Sequence, residues 1–237
     1  MPPFFKNLSV YPLMLIIKKN IVLAWLICAA SGLLLTTAAQ AATVQAVIGR
    51  VQIERDGRAD AAAQQQTLRQ GDVIITQSGG QLVLKLDDGA LLLVRESARV
   101  RLEVLAAQAQ ADQPAQAFRL VVGGLRFVTG LIGKQQPASI RILTPTATVG
   151  IRGTDLDVLV RETALVDVLP GTYVQVNSGA VVLTAGDENV ELAPTQTGFA
   201  GEPVITRSGQ RQVTLRRVES TAPGLFPRGS LDELLSR

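Results

Sequence analysis

Hydrophobic and polar positions alternate with a period of two along most of this chain. Val100, Leu102 and Val104 alternate with Arg99, Arg101 and Glu103. Leu82, Leu84 and Leu86 alternate with Gln81, Val83 and Lys85, and Val174 and Val176 with Gln175 and Asn177. Successive side chains of a strand point to opposite faces, so such runs predict half-buried β-strands. Turn residues punctuate them at Asp56-Gly57, Ser78-Gly79-Gly80, Asp87-Asp88-Gly89, Gly123-Gly124, Pro170-Gly171, Asn177-Ser178-Gly179 and Ala185-Gly186-Asp187. Many of these corners lie roughly 8–12 residues apart, as in a sandwich, barrel or solenoid. The expected fold is all-β: a compact β-roll, solenoid-like stack or sandwich of short strands. No repeat of fixed length marks a regular β-helix.

Several segments depart from this pattern. Residues 1–41 read as a secretory signal peptide. Lys18 and Lys19 form a positive n-region, Ile21 to Leu35 is mostly apolar, and Ala39-Gln40-Ala41 is a small-x-small cleavage site. Cleavage is expected after Ala41, with translation from Met1 or Met14. The apolar run is shorter than the roughly twenty residues of a membrane-spanning helix. Cys28 follows Ile27 inside that run, which does not suit a lipoprotein site. Ala59–Gln70 and Ala106–Ala117, rich in Ala and Gln, read as exposed excursions. Pro223 and Pro227 mark a linker, and Ser230 to Leu235 reads as a short helix with Ser230 at its N-cap and Glu233 three residues on. The expected division is a leader at 1–41, a β domain at 42–203, and a C-terminal strand, linker and short helix at 204–237.

Removing the leader changes the charge picture. Lys6, Lys18 and Lys19 are three of the 23 basic residues, so 20 remain against 20 acidic ones. No overall positive field is left to attract nucleic acid. A local excess at Arg207, Arg211, Arg216 and Arg217 reads as a solvated strand face, with an acidic partner as the sharper alternative. The only Cys and the only Trp lie in the leader, and the chain has no His. Disulfides, thiol chemistry and soft metal sites are therefore not expected after cleavage, nor is a cofactor. An exported chain of this kind suits the periplasm of a Gram-negative bacterium.

The most informative segment is Leu143–Val158, LTPTATVGIRGTDLDV. Pro145 holds Thr144 in extended geometry. Gly150 and Gly153 flank Arg152 and permit a sharp bend or a close approach of strands. Thr154 follows, and Asp155 and Asp157 project to one face of the outgoing strand. The planar fork of Arg152 is expected to brace this corner by a bidentate bond to Asp155 or Asp157. On that reading Arg152→Lys weakens folding, and breaking such a pair costs about 3–5 kcal/mol if it is buried. The motif residues Thr144, Pro145, Gly150, Arg152, Gly153, Thr154, Asp155 and Asp157 are thus structural or interaction residues. Two carboxylates at i and i+2 on a strand complete neither a calcium site nor an acid/base pair. Serine chemistry lacks a histidine, and no glycine-rich phosphate cradle is present. The chain is not expected to be an enzyme.

The same segment resembles the signature of the FecR domain, Thr-Pro-x-Ala-x-x-x-(Ile/Val)-Arg-Gly-Thr-(Asp/Glu). The resemblance runs from about Leu68 to Phe199. It includes Gly71-Asp72, Leu82–Leu86, Leu91–Val94, the Gly-Gly-Leu-Arg-Phe run at 123–127, and the later Gly171, Val174, Val176, Gly179, Val181 and Gly198. It implies an exported, β-rich signalling module. The best-known members of that family relay siderophore occupancy from an outer-membrane receptor to a cytoplasmic sigma factor, using a cytoplasmic domain ahead of a membrane span. Here at most twenty residues precede the apolar run, so such a domain is not expected. The expectation is a periplasmic module that contacts an outer- or inner-membrane sensor or receptor, with the membrane itself met only through an uncleaved leader. An envelope glycan-binding module and a structural surface protein are the alternatives.

Overall fold

Alternating, β-branched and leucine-rich sequence builds strands here because each strand buries one face and is closed by a glycine or Asx corner. The computed structural model describes residues 42–106, 114–136, 139–164, 168–205, 211–218 and 225–235. The expected signal peptide at 1–41 and Arg207 lie outside them. The first strands are β1 (Ala42–Ile48), β2 (Val51–Arg55), β3 (Arg58–Ala61), β4 (Thr67–Leu68), β5 (Val73–Thr76), β6 (Gln81–Leu86), β7 (Leu91–Val94) and β8 (Arg99–Leu105). After them come β9 (Gln116–Val128), the one-turn helix α1 (Leu131–Gln135), β10 (Ile140–Leu143), β11 (Thr148–Arg161), β12 (Gly171–Ala185), β13 (Glu188–Leu192) and β14 (Thr197–Gly201). The last strands are β15 (Val204–Ile205), β16 (Arg211–Gln212) and β17 (Leu215–Val218).

Fifteen of these strands form one large open sheet, with the path β17-β14-β12-β11-β10-β9-β7-β6-β1-β4. A branch leaves β9 through β8 and β5 to the hairpin β2–β3. The all-β expectation holds: one large rolled sheet carries the core, and β15 and β16 pair as a separate two-stranded sheet. Three long strands change partners part-way along. β9 pairs with β8 and, in parallel, with β10 in its first half, and with β7 and β11 in its second. The turn between the halves falls at Gly123, φ +85°. β11 passes from β10 to β9 through a bulge between Arg152 and Asp155, where Gly153 has φ +60°. Gly179 of β12, φ +83°, lies opposite that bulge, and a Cβ on it would collide with the Gly153 carbonyl. Only glycine accommodates both the left-handed backbone and the contact.

Inside the roll one continuous core joins Leu82, Leu84, Leu92, Val100, Phe118, Phe127, Ile151, Val158, Val174 and Leu183. Phe118 and Phe127 meet with centroids 5.3 Å apart. The opposite face of the sheet carries two smaller apolar patches, one at Val83 and Leu93 and one at Tyr173 and Phe199.

Parts of the sequence reading need correction. Ala59–Gln70 is not simply an exposed excursion: β3 extends into it and Leu68 of β4 is fully buried. Of Ala106–Ala117, residues 107–113 lie outside the described residues, and Gln116 and Ala117 begin β9. The helix α1 was not anticipated. The Asp88 carboxylate accepts from the Ile132 amide at 3.3 Å, and the Asp88 carbonyl accepts from that of Leu131 at 3.0 Å. The expected C-terminal helix is a single 3₁₀ turn, Asp232–Leu235, as suits a segment too short to propagate an α-helix. Within 204–237, β17 extends the main sheet beside β14.

Candidate functional site

On the outer face, adjacent strands place polar side chains side by side. Asp157 of β11 is in register with Arg126 of β9 and with Gln175 of β12. Arg126 is in register with Leu93 of β7, and Arg95 follows directly after β7. The strap Leu225–Leu235 lies over this face and contributes Asp232.

The result is a buried charge cluster. Arg126 holds Asp155 side-on, Nε to Oδ1 at 2.9 Å and Nη2 to Oδ2 at 2.7 Å. Arg95 Nη2 donates to Asp157 Oδ1 at 2.6 Å. Asn177 Nδ2 donates to Asp155 at 3.1 Å and to Asp157 at 2.9 Å. Asp232 accepts from Arg95 Nη1 at 2.8 Å, from Arg126 Nη1 at 3.1 Å, and from the Gly229 amide at 2.6 Å. The side chains of Arg95, Arg126, Asp157 and Asp232 are each less than a tenth exposed.

Burial alone would push the Asp232 carboxyl up. The bonds from Arg95, Gly229 and Arg126 outweigh it and hold it at about 2. Burial opposes the charge of Arg95, yet its bonds to Asp232 and Asp157 raise it above the ordinary arginine value. Arg126 is raised chiefly by Asp155. A second pair lies at the Gly-Asp corner. Asp72, 1% exposed, accepts from Nε and Nη2 of Arg55 and from the Arg69 amide. There too burial is outweighed, and the Asp72 carboxyl falls below its ordinary value. These shifts lead away from neutral pH. They describe fixed charges rather than groups poised to exchange protons.

The predicted motif residues divide among different roles. Asp155 and Asp157 share the cluster. Thr154 is buried and donates to the Ala180 carbonyl at 2.7 Å. Thr144 closes the Pro145 corner, donating to the Ala147 carbonyl at 2.8 Å and accepting from its amide at 3.0 Å. Thr172 and Thr146 extend that hydroxyl chain to the Ala200 carbonyl. Gly150 has room for a side chain, its nearest neighbour being the Val182 carbonyl at 3.6 Å.

Arg152 is not the brace. It is half-exposed, and among the described residues its ion pair is with Glu191 at 3.8 Å. The Gly153 bulge shifts the alternation, with Ile151 before it and Leu156 after it both in the core, so Arg152 and Asp155 share the outer face. Asp155 is instead taken by Arg126 and Asn177. Sequence reasoning missed Arg95, Arg126, Asn177 and Asp232. The Gly-Gly-Leu-Arg-Phe run did contain Arg126, as a charge between core residues Leu125 and Phe127. Of the basic group near the end, Arg216 lies over the Phe199 ring at 5.6 Å and Arg217 donates to the Glu191 carbonyl. Among the described residues no acidic cluster is arranged to hold a metal ion, and no helix is long and apolar enough to cross a membrane.

Residues 72–185 match the family model described as FecR protein. This stretch is a FecR domain. The FecR domain contains the Thr-Pro corner, the bulge and the sheet side of the charge cluster; Asp232 comes from outside it. Two crystal structures of a candidate anti-sigma factor from Parabacteroides distasonis are also similar. Each is 15% identical, covers 60% of this chain and has a TM-score of 0.43. The match spans 59% of the length of those structures. No curated protein matches.

Proposed function

We propose that this protein is a periplasmic signalling module without catalytic chemistry, acting by contact with a membrane sensor or receptor of the envelope. The observation that carries the reading is that this protein spends its buried and half-buried ionisable groups on bracing its own sheet. Arg95, Arg126, Asp72, Asp155, Asp157 and Asp232 are all paired with one another or with Arg55. A rigid scaffold of that kind is suited to being touched. The contact we favour is strand addition at β3, where all four residues are exposed and whose pairing among the described strands is with β2 alone. Glycan binding is less well supported, because Phe118, Phe127, Tyr173 and Phe199 are buried and cannot form a platform.

Photo-crosslinking in cells tests this. A crosslinkable residue at Ala59 or Ala61 is expected to give one adduct with an envelope membrane protein, absent when the probe is at Gly186. Absence of any adduct from the β3 sites and from β17 rejects the reading.

A further inference from the structure

The strap Leu225–Leu235 covers the outer face without joining the sheet. Its backbone hydrogen bonds among the described residues are internal, from Asp232 to Gly229 and from Leu234 to Leu231. Side chains hold it down. Leu231, Leu234 and Leu235 pack on Val83 and Leu93, and Leu225 and Phe226 on Tyr173 and Phe199. Asp232 sits between Arg95 and Arg126.

Two observations make this cover separable. The sheet side is charge-complete without it, since Arg126 pairs with Asp155 and Arg95 with Asp157. Asp232 is a third carboxylate on two guanidiniums, so its departure leaves no uncompensated charge. The seam is also imperfect. Among the described residues, Arg95 Nε is buried without a hydrogen-bond partner, and so is Oε1 of Gln81, the side chain that crowds Gly229. Each unmet group weakens the closed arrangement relative to an occupant that satisfies it. Beside the strap, a groove of about 520 Å³ opens between Leu225, Phe226, Gly124 and Leu159, with Arg95 and Arg161 on its wall.

We propose that the face beneath the strap is a docking site for an acidic, leucine-bearing segment of a partner protein, and that the strap occupies it until that segment arrives. The required chemistry is written in the strap itself: a carboxylate that takes the free arms of Arg95 and Arg126, flanked by leucines that fill the patch at Val83 and Leu93. This rests on the reading that the protein works by contacting another protein.

The test uses the full chain and a fluorescent synthetic peptide of residues 225–235. Leu231→Ala with Leu235→Ala loosens the strap and leaves the sheet side intact. The peptide is expected to bind this variant at least tenfold more tightly than the unaltered chain. The same peptide with Asp232→Asn is expected to bind at least tenfold more weakly. Equal binding to both chains, equal binding by both peptides, or no binding to a variant whose β9 and β11 amides stay protected from exchange overturns the proposal. If those amides lose protection, the full chain with Asp232→Asn takes the variant's place under the same expectations. The titration contains no partner, so its failure leaves the crosslinking result standing, and failed crosslinking leaves the titration standing.

Discussion

The guanidinium of Arg126 meets the carboxylate of Asp155 side-on, with two hydrogen bonds of 2.9 and 2.7 Å on the outer face of the sheet. Replacing Arg126 with methionine leaves Asp155 short of both bonds and Asp232 short of one. One-sided loss of a buried pair costs about 3–5 kcal/mol. Arg152→Met removes only an exposed arm 3.8 Å from Glu191, and is expected to cost less than about 1 kcal/mol. Urea unfolding of the two variants checks this. Equal losses would mean that Arg152, after all, carries part of the brace.

The two strands behind that pair are tied by glycine as well as by charge. At Gly179, φ +83°, an alanine meets the Gly153 carbonyl and the Thr154 backbone, neither of which can yield alone. The left-handed conformation costs about 1–2 kcal/mol for a residue with a Cβ, and the collision adds to it. Gly179→Ala is expected to lose at least about 3 kcal/mol. Gly150→Ala meets only ordinary contact distances without a left-handed backbone. It is expected to be neutral, or to gain about 0.4–1 kcal/mol by restricting the unfolded chain. Thermal unfolding separates them, and a comparable loss at Gly150 contradicts the assignment of the close approach to Gly179.

Asp232 links the strap to pH. Its carboxyl is held at about 2 against an ordinary 3.8. A depressed carboxyl contributes stability that is fully present above its unfolded value and is lost as pH falls through the folded one. The shift corresponds to about 2 kcal/mol. The stability difference between the native chain and Asp232→Asn is therefore expected to be constant from pH 7 to pH 5 and to shrink between pH 5 and pH 2. A difference that stays flat to pH 2 removes Asp232 from the charge cluster.

Much of the roll was legible because alternation is a local signal. The β6–β7 corner at Asp87–Gly89 and the strands on either side follow from neighbouring residues. The cluster was not legible, because Arg95 and Asp232 lie 137 positions apart and Arg126 and Asp232 lie 106 apart. A charged residue in an alternating strand normally means a solvated face. Here the strap turns that face into an interior, and nothing local to Arg126 or Asp157 announces it. Arg152 misled for the converse reason. Its nearness in sequence to Asp155 suggested a local pair, but Asp155 is taken by Arg126 from the neighbouring strand and Arg152 turns to Glu191.

The Gly71-Asp72 corner gives a last comparison, between a pair whose carboxylate is buried and an exposed pair of similar length. Asp72 accepts from Arg55 Nε at 2.8 Å, Arg55 Nη2 at 2.6 Å and the Arg69 amide at 2.8 Å, from a position 1% exposed. The neighbouring pair of Arg69 and Asp56, also 2.6 Å long, stands in solvent, with side-chain exposures of 59% and 80%. Asp72→Asn keeps the shape but removes the charge that all three donors point at, and is expected to cost about 2 kcal/mol. Asp56→Asn is expected to stay within about 0.5 kcal/mol of the unaltered chain. Because the Asp72 carboxyl is depressed, its contribution is also lost on acidification, so the Asp72→Asn deficit narrows as pH falls below the ordinary carboxylate range. Urea titrations at pH 7 and pH 3 measure both effects. A deficit as small as that of Asp56→Asn at pH 7 would show that the corner is held by its backbone alone.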